Sequence, residues 1–336
     1  MLTARENFDE CRKGKGVGHP DRFVKQYEYL AMMFHPFYTI SPQPMPGDEN
    51  VVDAWGITRS WRKDQPGAFP VHTPDRIVNK DFEDWKEYVK APRNTFSDAE
   101  WEPFVAKAEA VDRSKQYVSQ FIAPGIFEQL HNLSEISNTL AAFYEYPDEV
   151  HEMIKFLVDW EIEMAEDTCK HIHPDAIFHH DDWGTQKSTF LSPDMWADFF
   201  LEPYKTLYGY WKEQGVQIVV HHSDSYAATL VPYMIEIGID VWQGVMESNN
   251  IPELLQKYGN KITYMGGINS AHIDYEGWTQ EVIDEQVMKA CEENGPFNFV
   301  PGASQGLAMS TFPGVYEATD KAIEKVSEAY FAKHQI

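Results

Sequence analysis

The chain has 336 residues and is 43 % hydrophobic, enough apolar material for one large core. Its 28 Lys and Arg stand against 53 Asp and Glu, a net charge of −25 that repels phosphate backbones and anionic bilayers and so argues against nucleic acid and membrane as partners. Cys11, Cys169 and Cys291 form no CxxC pair, the first residues lack an apolar signal core, and no stretch reaches the ~18 apolar residues of a membrane span, so the expectation is a cytoplasmic protein.

The first 115 residues read irregularly. "LAMMFHPF" (30–37) and a segment near 51–58 are candidate strands, while 41–76 is rich in Pro, Gly and aromatics like an ordered insertion or hairpin. "DFEDWKEYVKAP" (81–92) and "SDAEWEPFVAKAEAVDR" (97–113) read as short amphipathic helices, the second with Ser97 and Glu100 at capping-box spacing.

From about residue 117 the pattern turns regular. "YVSQFIAPG" is a strand, followed by helices around 125–142 and 148–172. "DAIFHHDDWG" precedes a helix capped by Ser192 with Pro193 in its first turn, and "VQIVVHHSD" precedes a helix over 226–238. "DVWQGVM", "KITYMGGIN" and "FNFVPG" are further strands, followed by helices at 251–258, 278–294 and near 313–333. These are six strand–helix units whose strands are short apolar runs of the fully buried, parallel type. No GxGxxG follows a strand, so a dinucleotide fold lacks its fingerprint. The expected fold is α/β, a (β/α)8 TIM barrel in a single domain over 1–336. Residues 1–115 would supply an N-terminal elaboration plus the first strands, and 116–336 the regular units.

The strands end in polar or glycine residues: Asp181 and Asp182, His222 and Asp224, Glu247, Asn269, then Gly302 with Ser304 and Gln305. In a barrel those ends converge on the rim where active sites form. Residues i and i+2 of a strand share a face, so His222 and Asp224 could form one jaw of a metal site, with Val220 below them and His221 turned to the helix layer. Glu247 or Asp182 could complete it. A His-x-Asp pair at a strand end is more often hydrogen-bonded and structural, and the run His179–Asp182 carries the same ambiguity. Trp55, Trp61, Phe69, Trp183 and Trp242 could line an aromatic pocket, although large aromatics are more often core.

Several blocks, in order, resemble the uroporphyrinogen decarboxylase superfamily: "RENFDECRKGKGVGHPDRF", "DDWGTQKSTFLSPDMWADFFLEPYKTL", "VVHHSDS", "YMGGINS" and "FVPGASQG". The likeness runs from about residue 4 to 330. It implies a (β/α)8 barrel with its pocket at the C-terminal rim. The superfamily holds tetrapyrrole decarboxylases and zinc-dependent methyltransferases that work with corrinoid proteins. The arginine-bearing segment of the decarboxylases has no counterpart after "PDRF", which points to the methyltransferase branch. That branch carries His-x-Cys on one strand and a later Cys after Pro-Gly; here the positions are His222, Asp224 and Ala303. A harder His/carboxylate set suits an oxygen ligand.

The resemblance therefore implies transfer of a methyl group from an O-methyl donor, a methoxylated aromatic foremost, to the Co(I) of a partner corrinoid protein. Zn²⁺ would act as Lewis acid, with His222, Asp224 and Glu247 as expected ligands. Asp181 and Asp182 are the expected catalytic acids, and Trp183, Gln186, Asn269 and Ser304 the expected substrate contacts. Three rivals stay open, one of them a methyltransferase that acts on an N-methyl or thiol substrate with the same zinc chemistry. A cofactor-independent decarboxylase would need arginines at the rim, with Arg22, Arg59, Arg62 and Arg76 as early candidates. A ligand-binding barrel without metal would explain Ala303.

Overall fold

The computed structural model describes residues 1–63, 65, 67–305 and 311–334. The chain opens with a helix over Ala4–Arg12, capped by Thr3, whose hydroxyl accepts the Glu6 N–H while the Glu6 carboxylate accepts the Thr3 N–H. Strand β1 (Leu30–Met33) follows. Three short strands, β2 (Val51–Val52), β3 (Thr58–Ser60) and β4 (Phe69–Pro70), then form a separate antiparallel sheet in the order β2-β3-β4. The insertion expected at 41–76 is thus an ordered sheet, and the strand expected near 51–58 belongs to it rather than to the barrel.

The regular units supply β5 (Tyr117–Ile122), β6 (Ala176–His180), β7 (Ile218–His222), β8 (Val241–Val245), β9 (Thr263–Ile268) and β10 (Phe299–Ala303). With β1 they make one parallel sheet in the order β1-β5-β6-β7-β8-β9-β10. Its curl is evident in the packing. Leu30, Tyr117, Ala176, Ile218, Val220, Val241, Met265 and Val300, drawn from all seven strands, meet in one buried cluster that Phe8 and Cys11 of the first helix complete. This is the interior of a barrel of the (β/α)8 type, filled by side chains as that fold requires. Each fully buried Val or Ile there contributes about 1.5–3 kcal/mol. The helices pack outside it, and the aromatic-rich outer layer joins the larger cluster of the core.

Local departures from the expected helices have local causes. The helix expected at 125–142 is two, Ile126–Ser134 and Ile136–Glu145, broken where Glu135 takes φ +70° and caps the second with its carboxylate. The segment 81–92 yields only one turn, Trp85–Tyr88. Ser97 and Glu100 do form their reciprocal cap, the Glu100 carboxylate accepting from the Ser97 N–H and hydroxyl. Among the described residues no helix is long and apolar enough to cross a membrane.

Candidate functional site

The sheet register brings two strand ends together. His179 pairs with His221 and His180 with His222 across β6 and β7. Side chains alternate along a strand, so one histidine pair faces the barrel mouth and the other the helix layer.

The inner pair, His180 and His222, stack their rings with centroids 4.2 Å apart. Glu128, from the helix after β5, accepts from His180 Nδ1 at 2.7 Å, and Gln243 of β8 accepts from His222 Nδ1 through Oε1. Gln243 reaches His222 beside a register shift at Gly244, which sits at φ +89° and would bring any Cβ to 3.1 Å from the His222 ring. Both imidazoles therefore carry a proton on Nδ1; His222 keeps the Nε2 lone pair for another partner, and His180 offers its Nε2 once a cation displaces the proton there. His222 Nε2 lies 3.8 Å from Asp182 Oδ1, and ligand atoms of His180, Asp182 and His222 all lie within 4.8 Å of one another. Two imidazole nitrogens and a carboxylate, with both rings oriented by hydrogen-bond acceptors behind them, are a donor set that fits a divalent ion of the zinc type.

The surrounding electrostatics are polarised. Burial works against charge on His180, but Glu128, Asp182 and Asp224 outweigh it and raise its pKa to about 10. Burial and His180 push His222 down to about 3. Burial, the Asp224 carboxylate and Glu128 hold Asp182 well above the ordinary range, and burial with Glu128 takes Asp224 up to about 6.

The outer pair forms a different structure. His179 Nε2 meets both Glu161 oxygens at 3.1 and 3.2 Å, Tyr208 bridges His179 Nδ1 (3.1 Å) and His221 Nδ1 (2.8 Å), and His221 Nε2 reaches the Asp181 carbonyl at 3.1 Å. A carbonyl only accepts, so His221 carries its proton on Nε2 and must accept the Tyr208 hydroxyl at Nδ1. Tyr208 must then accept from His179, which leaves His179 protonated on both nitrogens beside the Glu161 carboxylate. Burial works against that charge, but Glu161 prevails and raises the His179 pKa, while burial and His179 hold His221 well below its ordinary value. As the alternation predicted, His221 faces the helix layer, 4.0 Å from the Trp183 ring.

The expected site residues separate into three places. Asp182 and His222 meet at the mouth with His180 and Glu128, two residues that sequence reasoning missed as site members. Asp224 adjoins them, its N–H donating to Asp182 Oδ1 at 2.9 Å. Gln186, Glu247, Asn269 and Ser304 instead line an open cleft of about 680 Å³, where Glu247 is engaged by Asn269 (3.3 Å) and Lys289 (3.4 Å). Gln305, also in the cleft, hydrogen-bonds Asp224 and links the two places. Glu247 is therefore not among the groups gathered at the histidines.

Asp181 and Trp183 are buried below the mouth. The Asp181 carboxylate accepts from Phe127 N (3.0 Å), Glu128 N (2.7 Å), Trp183 Nε1 (3.0 Å) and the Tyr204 hydroxyl, so its oxygens are consumed in clamping the start of the Ile126–Ser134 helix. Gly125 makes that approach possible, since a Cβ there would lie 2.5 Å from Asp181 Cβ. The aromatic lining expected of Trp183 and Trp242 is corrected in the same way: both are fully buried, because rings of this size fill the layer between strands and helices. Trp55 packs on Trp160, and the two line a pocket with Phe37 and Tyr38, whereas Phe69 lies in β4 of the small sheet.

Comparison with known proteins agrees with this architecture. The family model for uroporphyrinogen decarboxylase (URO-D) matches residues 127–326, more than half of the chain. Among solved structures, a methyltransferase from Methanosarcina mazei superposes with a TM-score of 0.65 at 14 % identity, covering 97 % of this chain and 99 % of that one. At that identity the likeness is one of fold. A B12-independent methionine synthase from Shewanella sp. W3-18-1, in complex with selenomethionine, reaches only a TM-score of 0.47 at 14 % identity over 74 % of this chain and 73 % of that one. Curated protein sequences give no match. On the family match, with the parallel barrel sheet as its physical counterpart, the chain belongs to the uroporphyrinogen decarboxylase family.

Proposed function

We propose that this chain is a methyltransferase that holds a divalent cation, zinc foremost, on His180, Asp182 and His222 and moves a methyl group from an O-methyl donor to the Co(I) of a partner corrinoid protein. The observation that carries the reading is the pair of stacked imidazoles, each tied through Nδ1 to an acceptor and each with Nε2 left for a ligand. When bound, the cation supplies Lewis acidity at the donor oxygen. The Methanosarcina mazei neighbour of this fold is itself a methyltransferase, which supports the reaction class.

The roles of the chain's own residues follow from chemistry. Glu128 and Gln243 fix the two rings, and Asp182 contributes the carboxylate. As the methyl carbon leaves, the donor oxygen keeps the bonding electron pair and takes a proton. We assign that proton to Asp224, whose N–H donates to Asp182 Oδ1 at 2.9 Å and which so stands beside the triad. The acceptor brings the electron pair for the new bond, so the protein needs no nucleophile of its own; its three cysteines are buried thiols, in keeping with the reducing cytoplasm where we place it. The decarboxylase reading is weaker. Arg22 is spent on Asp21 and Glu28, and Arg59 on Asp53 of the small sheet.

The test is zinc content by elemental analysis together with methyl transfer to a reduced corrinoid protein. About one zinc per chain, lost in His222→Ala along with transfer, is the expected result. A wild-type protein that takes up no zinc when it is offered overturns the reading.

A further inference from the structure

Beside the histidines, the segments that follow β8, β9 and β10 leave an open cleft of about 680 Å³, the size of a small-molecule site. Two of its side chains join it to the triad. Gln186 stands in the same loop after β6 as Asp182, and Gln305 hydrogen-bonds Asp224. The floor is held by its own contacts. Ser304 Oγ accepts from the Ser270 N–H at 3.3 Å, and Ser270 Oγ accepts from the Gln305 N–H at 2.8 Å. Asn269 ties the Ala271 N–H (3.0 Å) to Glu247 (3.3 Å). The walls keep unspent capacity: among the described residues, the side chains of Gln186, Ser248 and Glu293 have no partner. Glu293 stands one turn after Lys289 on the Gln280–Asn294 helix, so both enter the cleft from one helix face.

We propose that this cleft binds a neutral, hydroxyl-rich group, which makes the methyl donor a methyl ether of a sugar or similar polyol. The binding stands on the cleft alone; the donor role rests on the methyl-transfer reading. Three features of the lining select this class. The amides and hydroxyls of Gln186, Ser248, Asn250, Ser304 and Gln305 both donate and accept, as a row of ligand hydroxyls requires. An ionised Glu293 only accepts, and adjacent hydroxyls offer a donor to each of its two oxygens. Lys289 is already held by Glu247 at 3.4 Å, and among the described residues no aromatic ring lines the cleft. An anion, a quaternary cation and a flat arene therefore each miss their usual partner. The chemical step balances as for any ether. The O–CH3 bond breaks with its electron pair on oxygen, which becomes an alcohol with the proton assigned to Asp224, and Co(I) gives the pair for the new bond to carbon. Gln305, which touches both Asp224 and the cleft, ties that acid to the bound polyol.

The experiment measures binding of methyl glucopyranoside, cyclohexyl methyl ether and 2-methoxyphenol by calorimetry. It uses the zinc-treated full chain and its Glu293→Ala and Gln186→Ala variants, with zinc content and methyl transfer to reduced corrinoid protein read in parallel. Both variants change exposed side chains outside the triad, so fold and zinc content are retained. The glucoside is expected to bind several-fold tighter than either comparator and to give up its methyl group. Each variant is expected to lose about fivefold in glucoside affinity, the equivalent of one hydrogen bond. Comparators that bind as well as the glucoside, or variants that bind it like wild type, overturn the cleft assignment. Glucoside binding that depends on Glu293 and Gln186 without methyl transfer upholds the polyol site and overturns the donor role with the methyl-transfer reading, so the two fail separately.

Discussion

The rings of His180 and His222 stack 4.2 Å apart at 23°, yet the two are driven in opposite directions: His180 up by its carboxylate neighbours, His222 down by burial and by His180. Two imidazoles at this distance cannot both be cations cheaply. A shared cation on the proposed triad would resolve the conflict by taking a lone pair from each ring.

That arrangement predicts which substitutions remove metal. His180→Ala and His222→Ala abolish stoichiometric zinc binding, whereas Glu247→Ala leaves it intact, since Glu247 is held by Asn269 and Lys289. Glu128→Ala keeps the ligands but frees the His180 ring, and weakens zinc by about 10–100-fold. Competition with a chromogenic chelator measures all four.

Asp181 stabilises the fold rather than performing chemistry. Asp181→Ala strands the Phe127 and Glu128 N–H groups, the Trp183 indole and the Tyr204 hydroxyl in a buried place. The expected cost is about 3 kcal/mol or more, read by urea unfolding. Gly125→Ala, which drives a Cβ into Asp181 and His179, costs about 1–3 kcal/mol by overpacking in the same assay.

Tyr208→Phe tests the buried relay. It removes the hydroxyl that both accepts from His179 and donates to His221, leaving two ring nitrogens without partners. A loss of about 2 kcal/mol of stability is expected, with zinc content unchanged, since the relay lies on the outer face of β6 and β7.

Acid sensitivity has an identifiable source at Asp167. Burial raises its carboxyl pKa, but the His35 ring, with Nε2 3.6 Å away, and the hydrogen bonds from Trp101 Nε1 and Phe96 N outweigh it, and the net shift is downward. A carboxyl lowered in the folded state stabilises the protein above its unfolded pKa of about 3.9, and that contribution is lost as pH falls through the lower folded value. Wild type should therefore lose stability below about pH 4 more steeply than Asp167→Asn, which is weaker throughout at neutral pH. Unfolding midpoints between pH 2.5 and 7 report the difference.

Much of the architecture is written locally. The apolar runs ending in "HHDD" and "HHSDS" announce buried parallel strands, and period-two alternation alone sends His222 inward and His221 outward. The Ser97–Glu100 cap is local in the same sense. What stayed hidden depends on register and on partners distant in sequence. His180 meets His222 because β6 and β7 pair at that rung, and Glu128 meets His180 because a third segment, clamped by Asp181, ends beside them. Asp181 and Asp182 are neighbours in sequence and opposite in role, since one points to helix N–H groups and the other to the mouth. Glu247 has the right chemistry for a ligand, yet it lies in the cleft with Lys289. Sequence determined which residue types stand at the strand ends; only the tertiary structure decided which of them share a centre, because a ligand set is fixed by distances between strands that no spacing along one strand contains.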